Sequence, residues 1–153
     1  MPKSIRYHST HRALASAEAS PSVSFRDALF QGLAPDGGLF MPDEVPSIAE
    51  NELLELQGRS YPDVAAAVLS KFLGAEIEAP ALERIVESAF DFDVPIAPLG
   101  ATTFLMHLDR GPTASFKDFG ARFMARVMSR LRPAGGDITV LVATSGDTGS
   151  AVG

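Results

Sequence analysis

The chain has 153 residues, of which 46% are hydrophobic and 21% charged, with a formal net charge of −6. This is the composition of a globular chain, long enough for one domain with a core or for two small lobes, and its acidic balance excludes a nucleic-acid footprint built on overall charge. There is no cysteine and there are only three histidines, His8, His11 and His107, which excludes disulfides, thiolate chemistry and Cys-ligated zinc and leaves no His spacing suited to a metal.

From the N-terminus, the first residues lack the apolar run of a secretory signal, and no stretch is apolar enough to span a membrane, so a cytoplasmic location is expected. Residues 5–11 alternate briefly and predict an edge strand. Residues 13–22 are small and polar and predict a mobile loop. Ser24 with Asp27 has capping-box spacing; Phe25, Ala28, Leu29 and Leu33 form a helical stripe, and Gly32 marks its end. Residues 34–38 (Ala-Pro-Asp-Gly-Gly) are turn chemistry, followed by a short apolar run at 39–42 closed by proline. Residues 51–57 predict a short helix stopped at Gly58. Ser60 caps the next helix, with Pro62 in its first turn and Asp63 completing a box. Its buried face is Val64, Ala65, Val68, Leu69, Phe72 and Leu73, and Gly74 ends it. Pro80 opens a further helix with Leu82, Ile85, Val86, Ala89 and Phe90 inward. Residues 1–93 therefore predict a small, mainly helical lobe.

The character changes at 94–98, where two prolines predict a stiff, extended connector. Residues 102–108 predict a strand, residues 115–132 a helix started by a capping box of Ser115 and Asp118, and residues 133–136 a clean break. Residues 138–143 are β-rich without alternation, the mark of a strand buried on both faces. Strand, helix and strand at this spacing predict a right-handed βαβ unit and so the beginning of an α/β domain over residues 94–153. Such a strand needs neighbours, and few are offered; a helix opening after residue 146 has little more than one turn before residue 153. Both features create the expectation of a truncated chain.

Two stretches carry chemistry. Lys117 lies in Gly111-Pro-Thr-Ala-Ser-Phe-Lys-Asp-Phe-Gly120, in the first turn of a helix. The helix N-terminus carries partial positive charge, which favours a neutral lysine amine, the form that attacks carbonyls. The other reading is a lysine snorkelling to solvent. The second stretch is Thr144-Ser-Gly-Asp-Thr-Gly149, between a strand and a helix start. Its backbone N–H groups and hydroxyls suit a carboxylate or phosphate, or it is a plain turn with Asp147 as a cap. It is neither a P-loop nor a dinucleotide fingerprint. In a βαβ unit the two stretches share the sheet edge where ligands of open α/β folds bind. Phe116, Phe119 and Phe123 read as core rather than as a sandwich around a ligand. Arg122, Arg126, Arg130 and Arg132 read as a solvated face with contacts to the helix C-terminus, and His107 as a packed or hydrogen-bonded residue.

These residues resemble a known family. Residues 111–124 resemble the pyridoxal-phosphate lysine motif of the threonine synthase family, and Thr144-Ser-Gly-Asp-Thr-Gly149 resembles its substrate-carboxylate loop. Ala34-Pro-Asp-Gly-Gly-Leu-Phe-Met-Pro42 is similar to a signature of its N-terminal lobe, and Tyr7-His-Ser-Thr10 to its opening motif. The resemblance covers nearly the whole chain but only the N-terminal part of the family's length. It implies the tryptophan synthase β-like fold, fold type II of the pyridoxal-phosphate enzymes. It implies a lyase of threonine biosynthesis that converts O-phospho-L-homoserine and water to L-threonine and phosphate. Lys117 would carry pyridoxal 5'-phosphate covalently in the full-length enzyme and act as the base at Cα and Cβ. Phe116 and Asp147 would contact the cofactor, and Thr144, Ser145, Gly146, Thr148 and Gly149 the substrate. The implied partner is this small molecule, with no nucleic acid and no membrane.

The chain departs from the family at His11 and Arg110, where relatives often carry arginine and histidine, respectively. The family's glycine-rich cradle for the cofactor phosphate, and the group facing the pyridine nitrogen, lie further along than residue 153. The expectation is therefore a chain inactive by itself. Two alternatives stand beside it: a relative acting on another phosphorylated or hydroxylated amino acid, and a non-catalytic protein that binds an amino acid or a partner.

Overall fold

A computed structural model of the chain describes residues 4–13, 22–133 and 138–153. The chain is an α/β fragment that divides into two compact units: Met1–Gly58 with Val64–Leu82, and Arg59–Asp63 with Glu83–Gly153. Among the described residues no helix is long and apolar enough to cross a membrane.

In the first unit, strand β1 (Tyr7–Ser9) pairs antiparallel with β2 (Phe40–Pro42), with Tyr7 opposite Pro42 and Ser9 opposite Phe40. Tyr7 also bridges Val23 on its other side. The predicted edge strand is thus flanked on both sides, which explains the burial of Tyr7 and Ser9. Most of the 13–22 loop lies outside the described residues. Helix α1 (Phe25–Gln31) begins as the sequence requires: Ser24 Oγ accepts the Asp27 N–H at 3.0 Å and donates to the Asp27 carboxylate at 2.7 Å. It ends at Gly32, whose φ of 73° is the left-handed region that a side chain disfavours. Leu33 lies beyond that stop and is 59% exposed, so it leaves the predicted stripe. A second cap has no local signal: Glu76 accepts the N–H groups of Phe25 and Arg26 at 2.8 and 3.0 Å, from about 50 residues away. The carboxylate meets orphan donors at the positive end of the helix.

One core cluster of this unit is Ile5, Tyr7 and Ala28, with Val23, Phe25, Phe40 and Phe72 packed on it; Leu73, Ile77 and Leu82 are buried as well. The rings of Tyr7 and Phe25 are 5.7 Å apart. Burial, and then the charge of Glu76, push the Tyr7 hydroxyl above its ordinary pKa. Helix α2 (Glu50–Glu55) starts with Glu52 accepting the Ala49 N–H at 2.8 Å, and Glu52 pairs with Lys71.

Helix α3 (Tyr61–Leu73) carries the predicted box: Ser60 Oγ accepts the Asp63 N–H at 3.3 Å and donates to the Asp63 carboxylate at 2.7 Å, and that carboxylate accepts the Ser60 N–H at 3.2 Å. Of its predicted face only Leu73 is fully buried; the others are half-buried. Helix α4 (Ala79–Ala89) fits its pattern closely: Leu82, Ile85, Val86, Ala89 and the following Phe90 are all buried.

In the second unit the expected connector is partly a strand. β3 (Ile96–Pro98) pairs antiparallel with β4 (Phe104–Met106), Ile96 opposite Met106. Helix α5 (Lys117–Leu131) follows, and α6 (Asp147–Val152) closes the chain. The parallel βαβ unit expected from the sequence is corrected here: both sheets among the described residues are two-stranded and antiparallel. Residues 138–143 lie in no ladder, and Val140 and Leu141 are 52% and 91% exposed. A strand exists only through its hydrogen-bonding neighbours, and an apolar run of this kind needs a layer on each face; the described residues supply neither. Part of the predicted break at 133–136 lies outside the described residues.

Candidate active site around Lys117

Lys117 is the first residue of α5 and one of three lysines, with Lys3 and Lys71. The predicted capping box does not form. Ser115 Oγ accepts the Lys117 N–H at 3.2 Å, whereas Asp118 turns away to Thr113, accepting its N–H at 2.9 Å and its hydroxyl at 2.8 Å. A carboxylate offered two donors by a folded-back turn gains more than from one N-cap donor. Asp118 is 1% exposed as a result.

The Lys117 amine lies 3.0 Å from Asp147 Oδ2 and 4.2 Å from the centroid of the Phe116 ring. The turn into α6 brings a carboxylate to the amine, a partner that the helix start by itself does not supply. The hydrogen bond from Lys117, then the Thr148 N–H at 2.9 Å, hold the Asp147 carboxyl below the ordinary carboxylate range. The lysine side chain is 33% exposed and the aspartate 53%, so both remain open to an incoming molecule.

The loop from Thr144 to Gly149 is folded on itself. Thr144 Oγ1 accepts the Gly146 N–H at 3.2 Å, and the Gly146 carbonyl accepts the N–H and hydroxyl of Ser150 at 2.8 and 3.0 Å. Gly146, at φ 142°, precedes α6 as its cap, so the predicted role of Asp147 as a cap is corrected. A Cβ at Gly149 would lie 2.6 Å from the Thr144 methyl. Two backbone donors of the expected cradle, those of Gly146 and Thr148, are thus engaged within the loop. Thr144 and Ser145 are exposed, Thr148 and Gly149 half-buried.

The aromatic residues divide. Tyr61, Phe90, Phe92, Phe119 and Phe123 form one cluster with ring centroids 5.2–6.2 Å apart. Phe116 is 58% exposed and stays beside the lysine, so it is not core. Arg122 and Arg126 are likewise not a solvated face: they reach the end of α4, Arg122 donating to the Ala89 and Ser88 carbonyls at 2.8 and 3.2 Å and Arg126 to Ser88 Oγ at 2.7 Å. His107 faces Asp109 at 3.1 Å, as a hydrogen-bonded residue. In the first unit, His11 is held through Nδ1 by the Asp36 carbonyl at 2.9 Å. Sequence reading missed the Lys117–Asp147 pair and the Thr113–Asp118 clamp. The first has no local signal; the second was visible only as a threonine five positions before an aspartate.

Comparison with known proteins gives a consistent result. The family model described as threonine synthase N terminus matches residues 6–90. Threonine synthase of Escherichia coli (strain K12) is 42% identical over 132 residues, 85% of this chain and 30% of that relative. The crystal structure of threonine synthase from Escherichia coli is similar with a TM-score of 0.81 at 38% identity, over 96% of this chain and 33% of that one. The PLP-bound threonine synthase from Brucella melitensis has a TM-score of 0.74 at 39% identity, over 84% of this chain and 27% of that one. The chain spans about 30% of the length of the curated relatives it matches.

Proposed function

This chain belongs to the threonine synthase family, and from that premise we propose that it carries the lysine side of a pyridoxal-phosphate site that converts O-phospho-L-homoserine and water to L-threonine and phosphate. The observation that carries this reading is the Lys117 amine held 3.0 Å from Asp147, with the exposed Phe116 ring at 4.2 Å.

The donor set fits the carbonyl end of the cofactor. A primary amine, one-third exposed, stands beside an aromatic face and a proton acceptor. Lys117 would hold the cofactor covalently, with Phe116 and Asp147 in contact with it. Bound there, pyridoxal phosphate supplies an electron sink for charge developing at the substrate's carbon atoms. The protein's own part is proton handling: Lys117, once the substrate amine has displaced it, would take and return protons at substrate Cα and Cβ, with Asp147 orienting the Lys117 amine. Thr144, Ser145, Gly146, Thr148 and Gly149 would hold the substrate carboxylate.

The same reading takes residues 1–93 as the N-terminal lobe and 94–153 as the beginning of the cofactor domain, in a fold of type II. It takes the location as cytoplasmic, and the chain alone as giving no turnover.

The test is a chimera in which this chain replaces the matching segment of Escherichia coli threonine synthase, expressed in a threonine auxotroph. Growth without threonine is expected, and loss of growth in Lys117→Ala. A folded chimera that grows equally well with alanine at 117 would overturn the assignment.

A further inference from the structure

We propose that Asp118 is a positioning residue, which aims the Lys117 amine by clamping the turn before it; this rests on reading Lys117 as the cofactor amine. Asp118 is the only buried charged side chain among the described residues, at 1% exposure. Both its oxygens are taken by one residue, Oδ2 by the Thr113 N–H at 2.9 Å and Oδ1 by the Thr113 hydroxyl at 2.8 Å. The turn closes so tightly that a Cβ on Gly111 would lie 2.3 Å from Asp118 Oδ2. Between them Ala114 sits at φ 55°, the one non-glycine residue at positive φ among the described residues, with its N–H on the Gly111 carbonyl at 3.0 Å.

A residue with a Cβ is held in that region only where its surroundings over-determine it. A helix cap needs none of this. Phe116, the N-cap of α5, makes no side-chain cap contact, and Ser115 stands one residue before it. The Ser115 hydroxyl accepts the Lys117 N–H at 3.2 Å. Two devices therefore converge on position 117: Ser115 holds its backbone N–H, and the carboxylate of the next residue ties the chain back to Thr113. Both fix the backbone from which the amine reaches Asp147 at 3.0 Å.

The hydrogen-bond inventory of the clamp separates geometry from charge. Asparagine at 118 keeps both contacts: its oxygen accepts the Thr113 N–H, and its NH₂ donates to the Thr113 hydroxyl, which then accepts. Alanine removes both. Thr113→Val removes the hydroxyl contact and keeps the other.

The experiment is reductive labelling of the chain with pyridoxal phosphate and cyanoborohydride, mapped by peptide mass, with circular dichroism of each variant. Label at Lys117 is expressed relative to Lys71, which is ion-paired with Glu52 in the first unit and serves as the internal reference. In the wild type Lys117 is expected to label faster than Lys71. The ratio should fall about tenfold in Asp118→Ala, fall in Thr113→Val, and stay near wild type in Asp118→Asn. If Asp118→Ala does not fold, Thr113→Val carries the comparison. An unchanged ratio in the folded disruptive variants overturns the positioning role, and so does an Asp118→Asn ratio as low as that of alanine. A wild-type ratio of one or below overturns the reading of Lys117 itself, and this inference with it.

Discussion

Lys117 and Asp147 lie 30 positions apart in sequence and 3.0 Å apart in space. The pair joins the first residue of one helix to the first residue of another. It is solvent-screened, so it contributes little to stability. Its consequence is chemical: the amine of a lysine at a helix start has a carboxylate within hydrogen-bonding distance.

The pair predicts a shift that can be measured without cofactor. The Asp147 carboxyl lies low first because Lys117 donates to it, and then because of the Thr148 N–H. In Lys117→Met the first cause is gone and the second remains. The Asp147 titration, followed by carboxyl carbon NMR, should move up toward the ordinary carboxylate range without fully reaching it. An unchanged titration would mean that the two side chains do not meet in solution.

Acid should unfold the chain through a defined group of carboxylates. Asp36, Glu52, Asp63, Asp109 and Asp147 all lie below their ordinary values in the folded chain. A carboxyl lowered by folding contributes stability above its unfolded pKa and loses that contribution as pH falls through the folded one. The thermal midpoint should therefore stay level from neutrality to about pH 5 and then decline. Asp36 is held low first by the Ser9 hydroxyl at 2.6 Å, then by the Gly38 N–H. Asp36→Asn should be less stable at neutral pH and show a shallower acid decline; an equally steep decline would remove Asp36 from the group.

Gly38 closes the same knot. A Cβ there would lie 2.1 Å from Ser9 Oγ, 3.0 Å from the His11 nitrogen and 3.1 Å from Asp36 Oδ1. Ser9 is 1% exposed, and its hydroxyl both donates to Asp36 and accepts the His11 N–H. It cannot rotate away without abandoning both. Gly38→Ala should cost about 1–3 kcal/mol in urea unfolding, as an overpacked site does. A loss of a few tenths would mean that the knot yields easily.

The parts of this fold that sequence made legible are those governed by neighbours within one helical turn. The boxes of Ser24 with Asp27 and Ser60 with Asp63, the stop at Gly32 and the inward face of α4 were all visible as spacing. What escaped depends on distance along the chain. Glu76 caps a helix some 50 positions away, and Arg122 reaches a helix end 33 positions back. The Ser115 and Asp118 spacing is that of a capping box, yet Thr113 offered two donors where the helix offered one, and the nearer pair of contacts prevailed. The strand at 138–143 was read from composition alone, and composition cannot supply a ladder partner. At the candidate site the place of Lys117 at a helix start was legible, but not that it meets Asp147.

Arg122 is the strongest test of those distant contacts. Its Nε donates to the Ala89 carbonyl at 2.8 Å and its Nη2 to the Ser88 carbonyl at 3.2 Å and to Asp91 at 2.5 Å. The two carbonyls belong to the last turn of α4, where no intrahelical donor remains and the helix end is negative. The guanidinium also lies over the Phe92 ring, 5.7 Å from its centroid. Arg122→Ala should therefore cost about 2–3 kcal/mol in urea unfolding, from charged hydrogen bonds lost at a largely covered site. Lysine has one point donor where arginine has a fork, so Arg122→Lys should recover about half of that loss. The Asp91 side chain is 58% exposed, so its part is small and Asp91→Asn should cost no more than about 0.5 kcal/mol. If Asp91→Asn proved as damaging as Arg122→Ala, the ion pair rather than the helix cap would be what fastens α5, the helix that carries Lys117, to the end of α4.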